Sequence, residues 1–264
     1  MSTPFTDLTQ SMQTQADGSQ TVAIPEGWSQ GQSTYGGLTA ALGLQGVLNA
    51  NDDLPPLRSA LVNFVGPAAG EVVVKTDIVR PGRSMTVAGA NLLGERGLAT
   101  RSTFSFGVAR ESLFDETHLP APDLVGPEDA DADFQGPHRP TFTQYFEARL
   151  AQGGRPGSGS AQTNHYLWVR FRETLTPSVV SMLALADMPP PAMVPRFPVP
   201  KPISTVTWMV NMLQVNPQPF DDGWWLLQSR AEHAAQGYSS QDMVMWGAGL
   251  RPVIAGRQLV AIYL

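Results

Sequence analysis

TPSVVSMLALAD, residues 176–187, decides how the chain is read. After Pro177 it is an apolar run without a further proline or a glycine, and its length and composition predict a helix. The run ends in one acid, Asp187, and Pro189, Pro190 and Pro191 then stop any helix. On either side the pattern turns to strands. TFTQYFEARL (141–150) and HYLWVRFRE (165–173) precede it; ISTVTWMVNML (203–213), GWWLLQSRAEHAAQG (223–237), YSSQDMVMWGAG (238–249) and PVIAGRQLVAIYL (252–264) follow. The C-terminal half therefore reads as strands, one helix, and about four more strands.

The N-terminal half has the same order. TVAIPEGWS (21–29) is a short strand and its exit, and GGLTAALGLQGVLNA (36–50) is a helix with a small-residue face. Four strand-like runs between Gly/Pro turns follow: LRSALVNFVGP, EVVVKTDIVRPGRS, MTVAGANLLGERG and LATRSTFSFGVAR. Motifs repeat in order as well. Gly82-Arg83-Ser84 precedes Ala99-Thr100-Arg101-Ser102 by 17 residues, glycine to alanine, and Gly237-Tyr238-Ser239 precedes Ala255-Gly256-Arg257-Gln258 by 18. This is a faint internal duplication. Residues 111–140, acidic and proline-rich, read as a linker over the surface. The expected organisation is a repeat over 1–110, a linker over 111–140 and a second repeat over 141–264. A long helix held by a bent antiparallel sheet is the hot-dog fold, so the expected class is α+β, a double hot-dog.

The 264 residues suffice for a sizeable core, and with 42% apolar and 15% charged residues the chain reads as globular. The net charge of −6, without a Lys/Arg-rich run, argues against nucleic acid and anionic membrane as partners. The absence of cysteine removes thiolate nucleophiles, disulfides and cysteine zinc clusters, and suits a cytoplasmic setting. The first residues, MSTPFTDLTQ, lack the basic start and apolar core of a signal peptide. No apolar run approaches the ~20 residues of a membrane helix. His118, His138, His165 and His233 are scattered without a metal spacing, so neither metal nor cofactor is expected. Both GxS turns lack the closing glycine of GxSxG, and VNPQPF (215–220) lacks the histidine of an NPxH-like hydratase loop.

The chain resembles the acyl-CoA thioesterase II family and the wider group of thioesterase-like double hot-dogs. The matching stretches are Tyr35-Gly36-Gly37, Arg80-Pro-Gly-Arg-Ser84, LALAD ending at Asp187, STVT (204–207) and IAGRQL (254–259). The resemblance implies a catalytic set of an Asp, a Thr and a Gln, which fall on Asp187, Thr205 and Gln258. The family usually has an acid two residues after the threonine. Here that position is Thr207, which competes for the role and is read as lying on the same strand face as Thr205.

The residues themselves fit such chemistry. An acid at a helix C-terminus, behind apolar residues, is disfavoured as an anion, and both effects favour a general base. Gln258 lies in a strand otherwise suited to burial, and its counterpart is Ser102. Gly36 and Gly37 can present helix N-terminal N–H groups to an oxyanion, whereas Thr176-Pro177 at the matching place cannot. Arg83 is a candidate contact for CoA phosphates. The expected function is hydrolysis of an acyl-CoA by Asp-activated water; a non-catalytic acyl-CoA-binding protein of the same fold is the alternative. Open sheet edges and aromatic runs such as GWWLLQ suggest a homodimer or higher homo-oligomer.

Overall fold

The computed structural model describes residues 3–132, 139–199 and 201–263. The chain opens with α1 (Phe5–Gln10), β1 (Gln13–Thr14), β2 (Gln20–Ile24) and a small hairpin of β3 (Ser29–Gln30) and β4 (Ser33–Thr34). Helix α2 (Gly36–Asn49) follows, then β5 (Leu57–Phe64), β6 (Gly70–Arg80), β7 (Met85–Gly94) and β8 (Gly97–Gly107). The second half holds β9 (Asp131–Ala132), β10 (Phe146–Gln152), β11 (Asn164–Phe171) and α3 (Val179–Ala186). It closes with β12 (Ile203–Met212), β13 (Trp225–Ala235), β14 (Tyr238–Gly247) and β15 (Arg251–Ile262).

Thirteen of the described strands form one antiparallel sheet, in the order β1-β2-β6-β7-β8-β5-β12-β15-β14-β13-β11-β10-β9. The seam is β5 against β12, and the order reads alike on each side of it. β8 matches β15, β7 matches β14, and β6 matches β13. The register makes the relation residue-specific. Val62 pairs with Trp208 across the seam; Ser102 pairs with Val62, and Gln258 pairs with Trp208. Ser102 and Gln258 are therefore equivalent positions of a double hot-dog.

Helix α2 packs on β6, β7 and β8 and against α3. It is buried almost all round: Leu38, Ala40, Ala41, Leu42, Leu44 and Val47 are inaccessible. Gly46 lets it approach closely, since a Cβ there would stand 2.7 Å from Val74 Cγ1. An aromatic cluster drawn from both halves locks its start. Tyr35 stacks on Phe142 at 4.1 Å and Trp28 on Tyr145 at 3.9 Å.

The second helix is shorter than the sequence pattern suggests. Residues 176–178 stay outside it, because Ser178 is its N-cap: Ser178 Oγ accepts from Ser181 N at 3.1 Å, and Ser181 Oγ accepts from Ser178 N at 2.9 Å. Pro177 thus precedes the cap instead of occupying the first turn.

Residues 111–132 do more than run over the surface. Leu119, Ala121, Leu124 and Ala130 cover Trp168, Trp224, Leu226, Val244 and Trp246 on the outer face of the second half-sheet. Trp246 Nε1 donates to the Leu119 carbonyl at 3.1 Å and Trp168 Nε1 to the Val125 carbonyl at 2.9 Å. The GWWLLQ run is therefore not an open aromatic surface. Trp225 faces the main core, and Trp224 lies beneath this strap with Arg170 4.4 Å above its ring. Trp246→Phe removes one donor, worth about 1 kcal/mol, and leaves a void where the pyrrole ring packed, which adds to that cost. Cleavage of 111–132 in limited proteolysis should accelerate more than global melting falls; unchanged cleavage would show that the bond does not hold the strap.

Candidate active site

Asp187 is the C-cap of α3, half-buried where α3 ends against the start of α2. Two close approaches bring the helices together. A Cβ on Gly37 would lie 2.6 Å from the Ala184 carbonyl oxygen, and one on Gly36 would lie 2.9 Å from Asp187 Oδ2 and 3.0 Å from the Phe64 ring. At Gly37 a backbone atom is met, so only glycine fits there; at Gly36 a larger residue would have to move the Asp187 and Phe64 side chains. Tyr35, at the N-cap of α2, donates its hydroxyl to the Ala184 carbonyl at 2.5 Å. That bond occupies one of the carbonyls that a helix end leaves without an intrahelical partner.

One side-chain hydrogen bond holds the carboxylate, and a backbone N–H lies near it. Gln258 Nε2 lies 2.7 Å from Asp187 Oδ1. The Gly37 backbone N–H, at the open end of α2, faces the same group. Burial is the larger influence and raises the Asp187 pKa from 3.8 to about 7, against the lowering pull of Gln258 and Gly37. Tyr35 is the ionisable neighbour from α2. Burial and the nearby carboxylate hold its phenol well above the ordinary range, so it stays neutral.

Of the residues singled out from sequence, Asp187, Gln258, Gly36 and Gly37 come together. Thr205 and Thr207 do not share a face. Strand β12 is irregular between Thr205 and Thr207: Thr205 pairs with Val260 and Thr207 with Leu259. Val260 is buried and Leu259 exposed, and cross-strand partners share a face. Thr205 is thus half-buried on the inner side, diagonal to Gln258, and Thr207 is exposed on the outer side. The bulge reverses the simple alternation that placed them together. Among the described residues, the Thr205 hydroxyl makes no hydrogen bond to Asp187 or Gln258. Arg83 is exposed in the β6–β7 turn, several residues along the strands from the row of Ser102.

One residue of the network escaped the sequence reading. Gln241, fully buried on β14, lies opposite Gln258 and donates to its Oε1 at 2.8 Å. It sits in a run of polar and apolar strand residues with nothing local to mark it; only pairing with Gln258 does. His165 is buried, and burial lowers its pKa to about 4, so it stays neutral. His118 and His233 are exposed, and His138 lies outside the described residues. No cluster able to hold a metal occurs among the described residues. A cavity of about 600 Å³ lined by Phe171, Met182, Leu185 and Trp225 lies beside α3 and does not include Asp187.

The acyl-CoA thioesterase N-terminal domain matches residues 24–107, and the acyl-CoA thioesterase C-terminal domain matches residues 121–262. The chain belongs to the acyl-CoA thioesterase family. It is accordingly a thioester hydrolase, and the candidate site described above draws groups from both matched stretches. No curated protein sequence matches it. Among solved structures it is similar to a conserved hot-dog protein of unknown function from Alicyclobacillus acidocaldarius, with 24% identity and a TM-score of 0.88, covering 100% of this chain and 99% of that one. It is also similar to the tesB protein of Mycobacterium avium subs paratuberculosis, with 12% identity, TM-score 0.79, and 99% and 100% coverage. The acyl-CoA thioesterase II TesB2 of Mycobacterium marinum gives 14% identity, TM-score 0.74, and 97% of each chain. At such identities these structures speak for the fold. Among the described residues of this thioesterase, no helix is long and apolar enough to cross a membrane.

Two predictions follow from the packing and charge at Asp187. Gly37→Ala must displace the Ala184 carbonyl, and overpacking of this kind costs about 1–3 kcal/mol, readable as a lower melting temperature. A carboxyl with a raised folded pKa costs the fold nothing below the unfolded value of 3.8. Its cost grows as pH rises from there and is complete above about 7. Asp187→Asn removes that cost. Its melting temperature relative to wild type should climb between pH 4 and pH 8, and a difference flat with pH would rule out a raised Asp187 pKa.

Proposed function

We propose that this thioesterase hydrolyses a fatty or related acyl-CoA to the free acid and CoA, with Asp187 as the base that activates water. One observation carries the reading: a half-buried carboxylate, held by Gln258 at 2.7 Å beside an open helix N-terminus, with its pKa near 7. A base of that strength is about half ionised at neutral pH and basic enough to take a proton from water.

Water attacks the thioester carbonyl carbon as Asp187 accepts its proton. The oxyanion develops against the start of α2, where the positive end of the helix and the Gly36 N–H can receive it. The Gly37 N–H is directed at Asp187 and serves the base instead. Collapse of the tetrahedral species breaks the C–S bond, and the proton on Asp187 leaves with the CoA sulfur. Gln258 orients the carboxylate. Thr205, on the same inner face, is the threonine assigned to hold the water. Thr207 departs from the family's acid, but it faces outward and lies away from this chemistry. The departure therefore gives no support to a non-catalytic binding protein. A homo-oligomer is retained as part of the reading, on the exposed Leu61 and Met209 paired across the seam. A strictly monomeric mass at micromolar concentration would oppose that part.

The test is release of free CoA thiol from a panel of acyl-CoA chain lengths. Asp187→Asn should lose about 10²–10⁴ in kcat. The wild-type rate should rise with pH to a plateau above about 7, since the ionised form works. Wild-type turnover in the Asn variant would end the assignment. Gln258→Ala should lose far more activity than Ser102→Ala, its counterpart in the first half; equal losses would place the chemistry elsewhere.

A further inference from the structure

The hydrogen bond from Gln258 to Asp187 is the end of a longer chain. Gln258 Oε1 accepts from Gln241 Nε2 at 2.8 Å, and Gln241 Oε1 accepts from the Ala192 backbone N–H at 2.8 Å. All three are buried: Ala192 and Gln241 are wholly inaccessible, and Gln258 is 3% exposed. A carboxamide has a donor end and an acceptor end and can turn over; a backbone N–H can only donate. The Ala192 N–H therefore fixes the sense of the whole relay. It holds the Gln241 oxygen, which turns the Gln241 nitrogen to Gln258. That in turn leaves the Gln258 nitrogen, and not its oxygen, facing the carboxylate.

The relay also closes on itself. Ala192 lies five positions after Asp187, on the same segment, and the three residues before it are Pro189, Pro190 and Pro191. Prolines have no N–H. With the Met188 N–H taken by the Leu185 carbonyl, Ala192 carries the first free donor beyond the helix end. The first half has no such device: opposite Ser102 stands Ala90, the counterpart of Gln241.

We propose that Gln241 is a positioning residue of the thioesterase, anchored by the Ala192 N–H, that locks the Gln258 amide with its donor toward Asp187. The inference rests on the reading of Asp187 as the base. Gln241 touches no reacting atom and acts through Gln258. Without it the Gln258 amide is free to turn its oxygen to the carboxylate, which places two acceptors face to face and disfavours the ionised base. Tyr35, the other ionisable group facing Asp187, stays neutral across the useful pH range and does not supply the effect.

The experiment is Gln241→Met, near in size and unable to relay, with release of CoA thiol from the best acyl-CoA of the panel as readout. The expected result is a kcat loss of about fivefold at neutral pH, growing to about tenfold on the acid limb, with KM within about twofold and the acid limb displaced upward by about one pH unit. Leu226→Ala, in the outer cluster beneath the strap, serves as a destabilised control whose acid limb should stay in place. In a Gln258→Ala background, Gln241→Met should add less than about twofold, because the residue through which it acts is gone. A second readout needs no substrate. The upper end of the pH window over which Asp187→Asn gains stability relative to its parent should move upward by a similar amount when both carry Gln241→Met, while the lower end, set by the unfolded chain, stays in place.

An unmoved acid limb and stability window, or the same loss with and without Gln258, would overturn the proposal. If wild type cleaves acyl-CoA, Asp187→Asn does not, and Gln241→Met behaves as wild type, this proposal alone fails. If Asp187→Asn is fully active, the reading of the site fails and this inference with it.

Discussion

The pairing of β5 with β12 is the contact on which the rest depends. It carries one row of inward-facing residues across both halves of the sheet: Ala90, Ser102, Val62, Trp208, Gln258 and Gln241. Val62 and Trp208 meet at the centre and are buried, while the neighbouring pair, Leu61 and Met209, faces outward and is exposed. A slip of one residue at the seam would turn Trp208 out and Met209 in. It would also break the line that brings Gln258 under the end of α3. The site is thus a consequence of register: groups far apart in sequence converge because one pairing sets all the others.

The two arms of that row differ, and the helices give the reason. In the first half α2 lies close on the sheet. A Cβ on Gly43 would be 3.5 Å from the Ala90 Cβ and 3.8 Å from Ser102 Oγ. Larger side chains at Ala90 and Ser102 would push the helix away. In the second half α3 ends at Asp187 and the prolines carry the chain off, so two glutamine side chains fill the equivalent space. Buried amides are costly unless hydrogen-bonded. Here each amide oxygen accepts from one neighbour and each amide N–H donates to the next, and the relay ends on a carboxylate that accepts. Duplication supplied two equivalent frames, and helix length separates the frame that packs a helix from the one that holds polar groups.

Much of this was legible in the sequence where local pattern and tertiary structure agree. The runs at 57–67, 71–84, 85–97 and 98–110 alternate and stop at turns, and they became β5 to β8 nearly as read. The long helix of 36–50 and the equivalence of Ser102 with Gln258 were legible for the same reason. Three features were not. The bulge at Thr205–Thr207 belongs to the pairing of β12 with β15, and a single strand cannot reveal it. The strap of 111–132 has the composition of a linker, and its few apolar residues gain meaning only against the tryptophans they cover. Gln241 is a strand glutamine whose role lies wholly in its cross-strand partner. Asp187 stood out because its own neighbours are the wrong company for an acid.

The reason that acid is tolerable lies across the seam. The end of α3 disfavours a negative charge, and so does burial. The start of α2 acts the other way, with its N–H groups and positive end brought to the carboxylate by two glycines that permit the approach. Gln258 adds a second donor from the opposite side. Burial alone would keep the carboxyl protonated at neutral pH, and donors alone would leave it ionised but a poor base. Burial outweighs the donors, which pull back only part of its effect, and the group is left where a proton can be both taken and returned near neutrality. That balance needs α2 from one half and α3, β14 and β15 from the other. A single repeat lacks the parts to make it, which is the physical argument for one site per chain at the seam.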